Sequence, residues 1–252
     1  MQNFDRKFEV FLQSFIDGGG YNDVLTGLKN TLIIAVLGLI IGIVLGTLIG
    51  AVRVVPKTNP LIKVLDKICG VYVSLFRGTP MVVQLLVFYY VLMPIFGFHM
   101  NSVSVAAVVF GMNSGAYVSE IMRAGILSVD PGQMEGGRSV GLSYSTTMMK
   151  IIIPQAVKNI LPTLGNEFIS LIKETSVVSF VGAMDLYVAF NRMGSNNYEF
   201  MVPYLVMAVI YIVVVFVISM LIKIMERSLR KSDKMYVTLK KASAIILSVN
   251  GH

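Results

Sequence analysis

Residues 31–52 read TLIIAVLGLIIGIVLGTLIGAV, an apolar run without one charged side chain. A helix needs about 20 mostly apolar residues to cross a hydrocarbon layer about 30 Å thick. No other stretch constrains the chain as tightly, and it predicts a transmembrane helix over Thr31–Val52. Gly38, Gly42, Gly46 and Gly50 recur at every fourth position on one face of that helix. Small residues at such spacing let a second helix approach closely. The chain as a whole agrees, being 55% hydrophobic and only 14% charged, against about 25% charged in soluble domains.

The net charge of +7 does not point to nucleic acid. The basic residues flank apolar segments, there is no Trp, and no zinc pattern or basic aromatic face accompanies them. Cys69 is the only cysteine, and His99 and His252 lie far apart. A disulfide within the chain or a Cys/His metal site is therefore not expected. The N-terminal MQNFDRKFEVFLQSF lacks the apolar core and cleavage site of a secretory signal. It reads as an amphipathic lead-in to the first span.

Met81–Phe98, Val103–Met122 and Val202–Ile222 are further spans, and the apolar run Val64–Phe76 precedes Met81–Phe98 with a break at RGTP. Segment 164–190 is ambiguous by hydropathy, because NEFISLIKETSVVSF carries Glu167, Lys173 and Glu174. Charge asymmetry resolves it through the preference of basic residues for the cytoplasmic side. If 164–190 crosses, the inside collects Arg53, Lys57, Lys63, Lys67, Arg123, Arg138, Lys150, Lys158 and the basic tail from Lys223 onward. The outside then holds only Arg6, Lys7, Lys29 and Arg192. If it does not cross, the bias nearly vanishes. The expectation is an all-α membrane protein of about five transmembrane helices, N-terminus outside and C-terminus inside. Residues 1–230 form one transmembrane domain, and 231–252 a cytoplasmic tail of unassigned role. The location is a cell membrane, contacted by lipid.

On a helix at about 100° per residue, Thr163, Asn166, Glu167, Ser170, Lys173 and Glu174 share one arc. Ionisable groups within a membrane are costly and by default mark a transport path. The alternative is a structural ion pair of Lys173 with Glu174 or Glu167. At FRGTPMVVQLL (76–86), Pro80 removes a backbone donor and Gly78 permits unusual angles. A helix starting there would offer free amides to a substrate carboxylate, or the segment is a plain elbow with Arg77 snorkelling. A zwitterion suits the two features together, its carboxylate at the amides or Lys173 and its ammonium at Glu167 or Glu174.

The long inside loop 124–162 carries helix punctuation: Asp130-Pro131-Gly132 starts one helix and Gly141 stops it, while Ser143 or Ser145 caps a second that Pro154 interrupts. This is a helix–turn–helix presented to the cytosol as a docking surface. Here the chain resembles the permease subunits of ATP-binding-cassette importers. Their cytoplasmic motif reads Glu-Ala-Ala, three residues, Gly, nine residues, then Ile-any-Leu-Pro. The chain has Glu135-Gly136-Gly137, Gly141 and Ile151-Ile152-Ile153-Pro154 at that spacing, departing at both Ala positions and at the Leu. RGTPMVVQLL and GNEFISLIKETSVVS resemble the polar amino-acid subfamily, and the similarity covers about residues 20–232.

The resemblance implies ATPase coupling through Glu135, Gly136, Gly137, Gly141, Ile151 and Pro154. It implies a substrate path at Gly78, Thr79, Pro80, Gln84, Asn166, Glu167, Ser170, Lys173, Glu174 and Thr175. It also implies separate ATPase subunits that use ATP and Mg, an extracytoplasmic amino-acid-binding protein, and a second permease copy, identical or sister. No cofactor is expected on this chain and no enzyme activity, since the chain contains no G-x-x-x-x-G-K-[ST] phosphate loop. The rival reading is an ion-coupled secondary transporter with Glu120, Glu167 or Glu174 as ion carrier. Such folds often show internal repeats, and none is evident here.

Overall fold

The structure, a computed structural model, describes the backbone of residues 2–249 and the side chains of residues 4–228. Among the described residues every regular element is helical: α1 (Gln2–Leu12), α2 (Gly20–Val54), α3 (Pro60–Gly78), α4 (Met81–Val87), α5 (Met93–Ile95), α6 (Ser102–Leu127), α7 (Pro131–Ser139), α8 (Tyr144–Thr147), α9 (Ile153–Glu174), α10 (Leu186–Asn197) and α11 (Met201–Val249). Three of them, α2, α6 and α11, are long and apolar enough to cross a membrane. The α3 and α4–α5 pair qualifies as a fourth when its two arms, bent by 108°, are taken together. α11 continues without a break past residue 231; the side chains of the expected tail lie outside the described residues.

The glycine stripe of α2 is its contact with α6. A Cβ at Gly38 would stand 3.0 Å from the Phe110 Cβ, at Gly46 2.6 Å from Val118, and at Gly50 3.0 Å from Met122. Equal steps on both helices mean that α2 and α6 run in the same direction. α6 answers in kind, since a Cβ at Gly111 would meet Ile41 at 2.5 Å. Without water between them, helices in lipid gain from such close van der Waals packing rather than from a hydrophobic effect. Accordingly α6 is the most enclosed of the three apolar helices, and the apolar part of α11 is the most exposed.

α9 lies between α6 and α11. Glu167 reaches Ser114, and Gly125 packs on Ile160, so α9 runs antiparallel to α6. Gly165 packs on Ile222, while Lys173 and Ser176 share a cavity with Tyr211 and Val215, so α9 is antiparallel to α11 as well. The helix spans Ile153–Glu174 rather than 164–190, so it starts and ends more than ten residues before the segment that charge asymmetry selected. Pro154 does not interrupt it. The residue falls in the first turn of α9, directly after a π-type turn at Met148–Ile152 that widens the backbone ladder where proline has no donor. The far end comes at Thr175–Val181, a 3₁₀ segment closed by Gly182 at φ 70°. Lys173 and Glu174 therefore sit in the last turn of α9.

At the opposite end from α7 and α8, α1 folds back through Gly18 and Gly19 (φ 69°) and seats Phe11 among Val24, Leu186, Phe190 and Val202. Asp185 caps α10, accepting from the Val188 amide at 2.9 Å. Its own carbonyl would lie 2.4 Å from any Cβ at Gly27, so α10 rests directly on the α2 backbone.

Candidate functional site

The elbow after α3 follows from Pro80. The residue before a proline is pushed out of the helical region, and Thr79 is extended at φ −121°, ψ 143°. Gly78 contributes no left-handed backbone, and a Cβ there would meet nothing within 4 Å; the break belongs to the Thr79–Pro80 pair. Breaking a helix orphans its last carbonyls, and Gln84 takes them up. Its Nε2 donates to the Phe76 carbonyl at 2.8 Å and to the Thr79 carbonyl at 3.0 Å. Asn113 of α6 donates to the Gln84 Oε1 at 2.9 Å and to the Phe76 carbonyl at 3.3 Å. Gln84 is buried and its amide is spent inside the elbow. α4 itself has 7 residues before a π-type turn at Phe88–Leu92, and Val83 and Gln84 amides both return to the Pro80 carbonyl.

On α9 the polar arc is the exposed side of the helix. Thr163, Asn166, Lys173 and Glu174 are exposed and Glu167 and Ser170 half-buried, while Leu164, Leu171 and Ile172 are buried. The Glu167 Oε1 accepts from the Ser114 hydroxyl at 2.9 Å. Asn113 and Ser114 are consecutive on α6, so one turn of that helix holds both the elbow and Glu167. The two unusual sequence features thus meet at one depth. Lys173 goes elsewhere, into a cavity of about 730 Å³ between α9, α10 and α11 with Ser176, Tyr187, Tyr211 and Lys223. Among the described residues no ion pair joins Lys173 to Glu167 or Glu174. Thr175 is buried and its hydroxyl donates back to the Ile172 carbonyl.

Asn113 and Ser114 escaped the sequence reading, as did the pairing of Glu120, considered there only as an ion carrier, in a cluster toward the C-terminal end of α6. The polar run MNSGAYVSE inside an otherwise apolar helix is the signal that could have found them. In the cluster, Glu120 is shared by Arg53 of α2 and by Arg123, whose Nη2 lies at 3.0 Å. With both oxygens engaged by guanidinium groups, Glu120 is a clasp between α2 and α6.

Apart from Pro154, the connection between α6 and α9 forms as its punctuation indicated. Asp130 caps α7, accepting from the Gly132 amide at 2.8 Å; Gly141 adopts φ 86° after α7; and Ser143 caps α8. The two glycines in the Glu135-Gly136-Gly137 run differ. A Cβ at Gly136 would meet nothing within 4 Å, whereas one at Gly137 would stand 2.5 Å from the Thr147 side chain. Gly137 is the point where α7 lies on α8. The loop ends at Ile152, ten residues before the expected limit of 162.

Comparison with known proteins gives a consistent set of relatives. The family described as binding-protein-dependent transport system inner membrane component matches residues 42–231. The arginine transport system permease protein ArtQ of Bacillus subtilis is 37% identical over 83% of the chain and 94% of its own length. A putative glutamine transport system permease protein, GlnP of Rickettsia conorii, is 36% identical over 81% and 90%. Among solved structures, an amino acid ABC transporter with histidines superposes with a TM-score of 0.76 at 38% identity, over 82% of the chain and 94% of the other. The MetNI methionine ABC transporter shares the fold, with a TM-score of 0.69 at 19% identity over 82% and 96%.

Proposed function

The chain belongs to the binding-protein-dependent inner membrane transport family, and from that premise we propose that it is the permease subunit of an ATP-driven importer of polar amino acids. Its relatives are named for arginine and glutamine transport. It is a multi-pass inner membrane protein. In this reading α9 makes a crossing between α6 and α11, giving about five passes with the N-terminus outside. α7 and α8 dock separate ATPase subunits through Glu135, Gly136, Gly137, Gly141, Ile151 and Pro154. Those subunits bring ATP and Mg, an extracytoplasmic binding protein delivers the cargo, and a second permease copy closes the pore.

The observation that carries the path is the pair Asn113–Ser114, which sets the Gly78–Thr79–Pro80 elbow and Glu167 around one turn of α6. Asn166, Glu167 and Ser170 offer polar contacts on the exposed face of α9, with Glu167 facing the ammonium group. Gln84 and Thr175 shape this wall from behind rather than touch cargo. Glu174 lies toward the outer end of the same helix and forms the entrance, while Lys173 faces the cavity against α10 and α11.

The test is uptake into proteoliposomes containing the chain with its ATPase and binding protein, screened across the amino acids. ATP-dependent uptake that survives collapse of ion gradients is expected. Uptake by the chain alone, driven by an ion gradient, would establish the secondary-transporter alternative. Glu167→Gln is expected to lower uptake at least about tenfold, the equivalent of 1.4 kcal/mol, with unchanged protein levels; loss of the protein itself would make Glu167 structural.

A further inference from the structure

We infer that Asp185 is a buried proton-binding site, which holds its proton while α10 is packed on α2 and releases it when that contact opens. The site needs no cargo, so it stands independently of the permease reading. Asp185 precedes α10 and is 0% exposed. Its Oδ1 caps α10 by accepting from the Val188 amide at 2.9 Å. Its Oδ2 is buried without a hydrogen-bond partner in the protein, and so is the Tyr211 hydroxyl of α11. Tyr211 lies within electrostatic reach of Asp185. Two orphaned polar atoms in one interior patch call for an explanation, because folded proteins satisfy nearly all their buried polar groups.

The surrounding elements bring no counter-charge. From α2 come Gly27, Asn30 and Thr31, of which Asn30 donates to the Met184 carbonyl at 2.8 Å and the Thr31 hydroxyl accepts from the Leu186 amide at 3.3 Å. The end of α9 brings Thr175, whose hydroxyl donates to the Ile172 carbonyl, and α11 brings Tyr211. Lys173 is the nearby cation, and it opens with Tyr187 and Tyr211 into the cavity between α9, α10 and α11. Among the described residues no ion pair joins it, or any other base, to Asp185. An ionised carboxylate here gives up its hydration for nothing in return. The neutral acid avoids that cost, and its O–H is a donor that Oδ2 otherwise lacks. Burial accordingly pushes the Asp185 carboxyl up to about 6, outweighing the backbone amides that favour the charged form. The proton is tied to packing because the Asp185 carbonyl would stand 2.4 Å from a Cβ at Gly27. A lift of α10 off that backbone admits water to the carboxyl and restores its ordinary acidity.

The test is made on the full chain in detergent, between about pH 5 and about pH 8. With its raised carboxyl, the folded state binds more protons than the unfolded chain, so stability falls as pH rises through about 6. The melting temperature should be several degrees lower at the alkaline end. The α10 amides should exchange with deuterium about tenfold faster there, equivalent to 1.4 kcal/mol, once the intrinsic pH dependence of exchange is removed. The infrared band of a protonated carboxyl should disappear over the same range. Asp185→Asn keeps the capping acceptor and puts a permanent donor at the orphan position. It should melt alike at both ends of the range and lack that infrared band. Gly27→Ala, which forces α10 off α2, should move the infrared midpoint down toward the ordinary carboxylate range. A pH response that persists in Asp185→Asn, where His99 and His252 remain, overturns the inference. So does a wild-type protein without the band at the acid end, or an unmoved midpoint in Gly27→Ala. A melting temperature that follows sodium chloride against choline chloride and ignores pH would make a metal cation the occupant and also overturns it.

Discussion

Along α6, Gly111 and Gly115 face Ile41 and Leu45 of α2, whereas Ser114 and Tyr117 reach Glu167 and Arg77. The first side is dry and built from absent side chains, so its contacts are backbone-close and intolerant of added atoms. The second is polar and open, with exposed Asn159, Thr163 and Asn166 on the facing helix. A single helix thus holds a rigid seam on one side and a wall of the proposed path on the other. The seam can hold the wall in place because it leaves little freedom for α6 to shift.

Breaking the seam should give the largest effect. A Cβ at Gly46 already stands 2.6 Å from Val118 and 2.8 Å from the Ser119 amide nitrogen, and a leucine there has nowhere to go. Gly46→Leu is expected to cost at least about 3 kcal/mol, the upper end of overpacking penalties, and to abolish accumulation of monodisperse protein on size-exclusion chromatography. A normally melting Gly46→Leu protein would show that α2 and α6 can part.

Gly42 sharpens the comparison because it belongs to both sides. A Cβ there would lie 2.6 Å from the Ser114 hydroxyl oxygen, the group that donates to Glu167. Gly42→Ala should cost about 1–2 kcal/mol and also lower uptake, by displacing Ser114 from Glu167. Gly38→Ala, whose Cβ would meet the Phe110 Cβ at 3.0 Å, should affect melting alone. Equal uptake in the two variants would separate seam from wall.

The proposed docking loop repeats the contrast within two adjacent residues. Gly137→Ala, against Thr147 at 2.5 Å, should cost about 1 kcal/mol or more and weaken co-purification with the ATPase. Gly136→Ala, in open space, should be neutral or should stabilise by up to about 1 kcal/mol through helix propensity. Matching behaviour of the two would remove the role of the α7–α8 contact.

The legible parts of the fold were those whose cause is local. Four-residue glycine spacing predicted the seam, Pro80 predicted the elbow, and Asp130, Gly141 and Ser143 predicted the short helices α7 and α8. The limits of α9 were not legible, because its polar arc depresses hydropathy and Pro154 read as an interruption. Pro154 costs little in a first turn, and the neighbouring π-type turn absorbs the rest. The roles of Gln84 and Asn113 were illegible for a different reason. Their amides serve carbonyls orphaned by a break elsewhere in the chain, and only tertiary structure pairs donor with acceptor. Arg77 entered the sequence reading only through the alternative of a plain elbow with its side chain snorkelling, because Tyr117, over which it lies, is forty residues away in sequence.

The smallest effect belongs to a contact of neither kind. Lys7 of α1 meets Glu199, just before α11, at 3.0 Å, tying the N-terminal helix to the start of α11. The hydrogen bond from Lys7 holds the Glu199 carboxyl below the usual glutamate range. A lowered carboxylate pKa stabilises the fold above the unfolded value, and that contribution fades as pH falls through the folded one. The pair should therefore contribute fully at neutral pH and fade only below the usual glutamate range. Exposed pairs are screened by salt and contribute little, so Lys7→Met should move the melting temperature only marginally at pH 7, and less still in high salt or acid. A large loss for Lys7→Met at every pH and salt concentration would mean that the lysine stem, packed at the α1–α11 contact, matters more than its charge. The α1–α11 clasp would then belong with the glycine seam as a packing device.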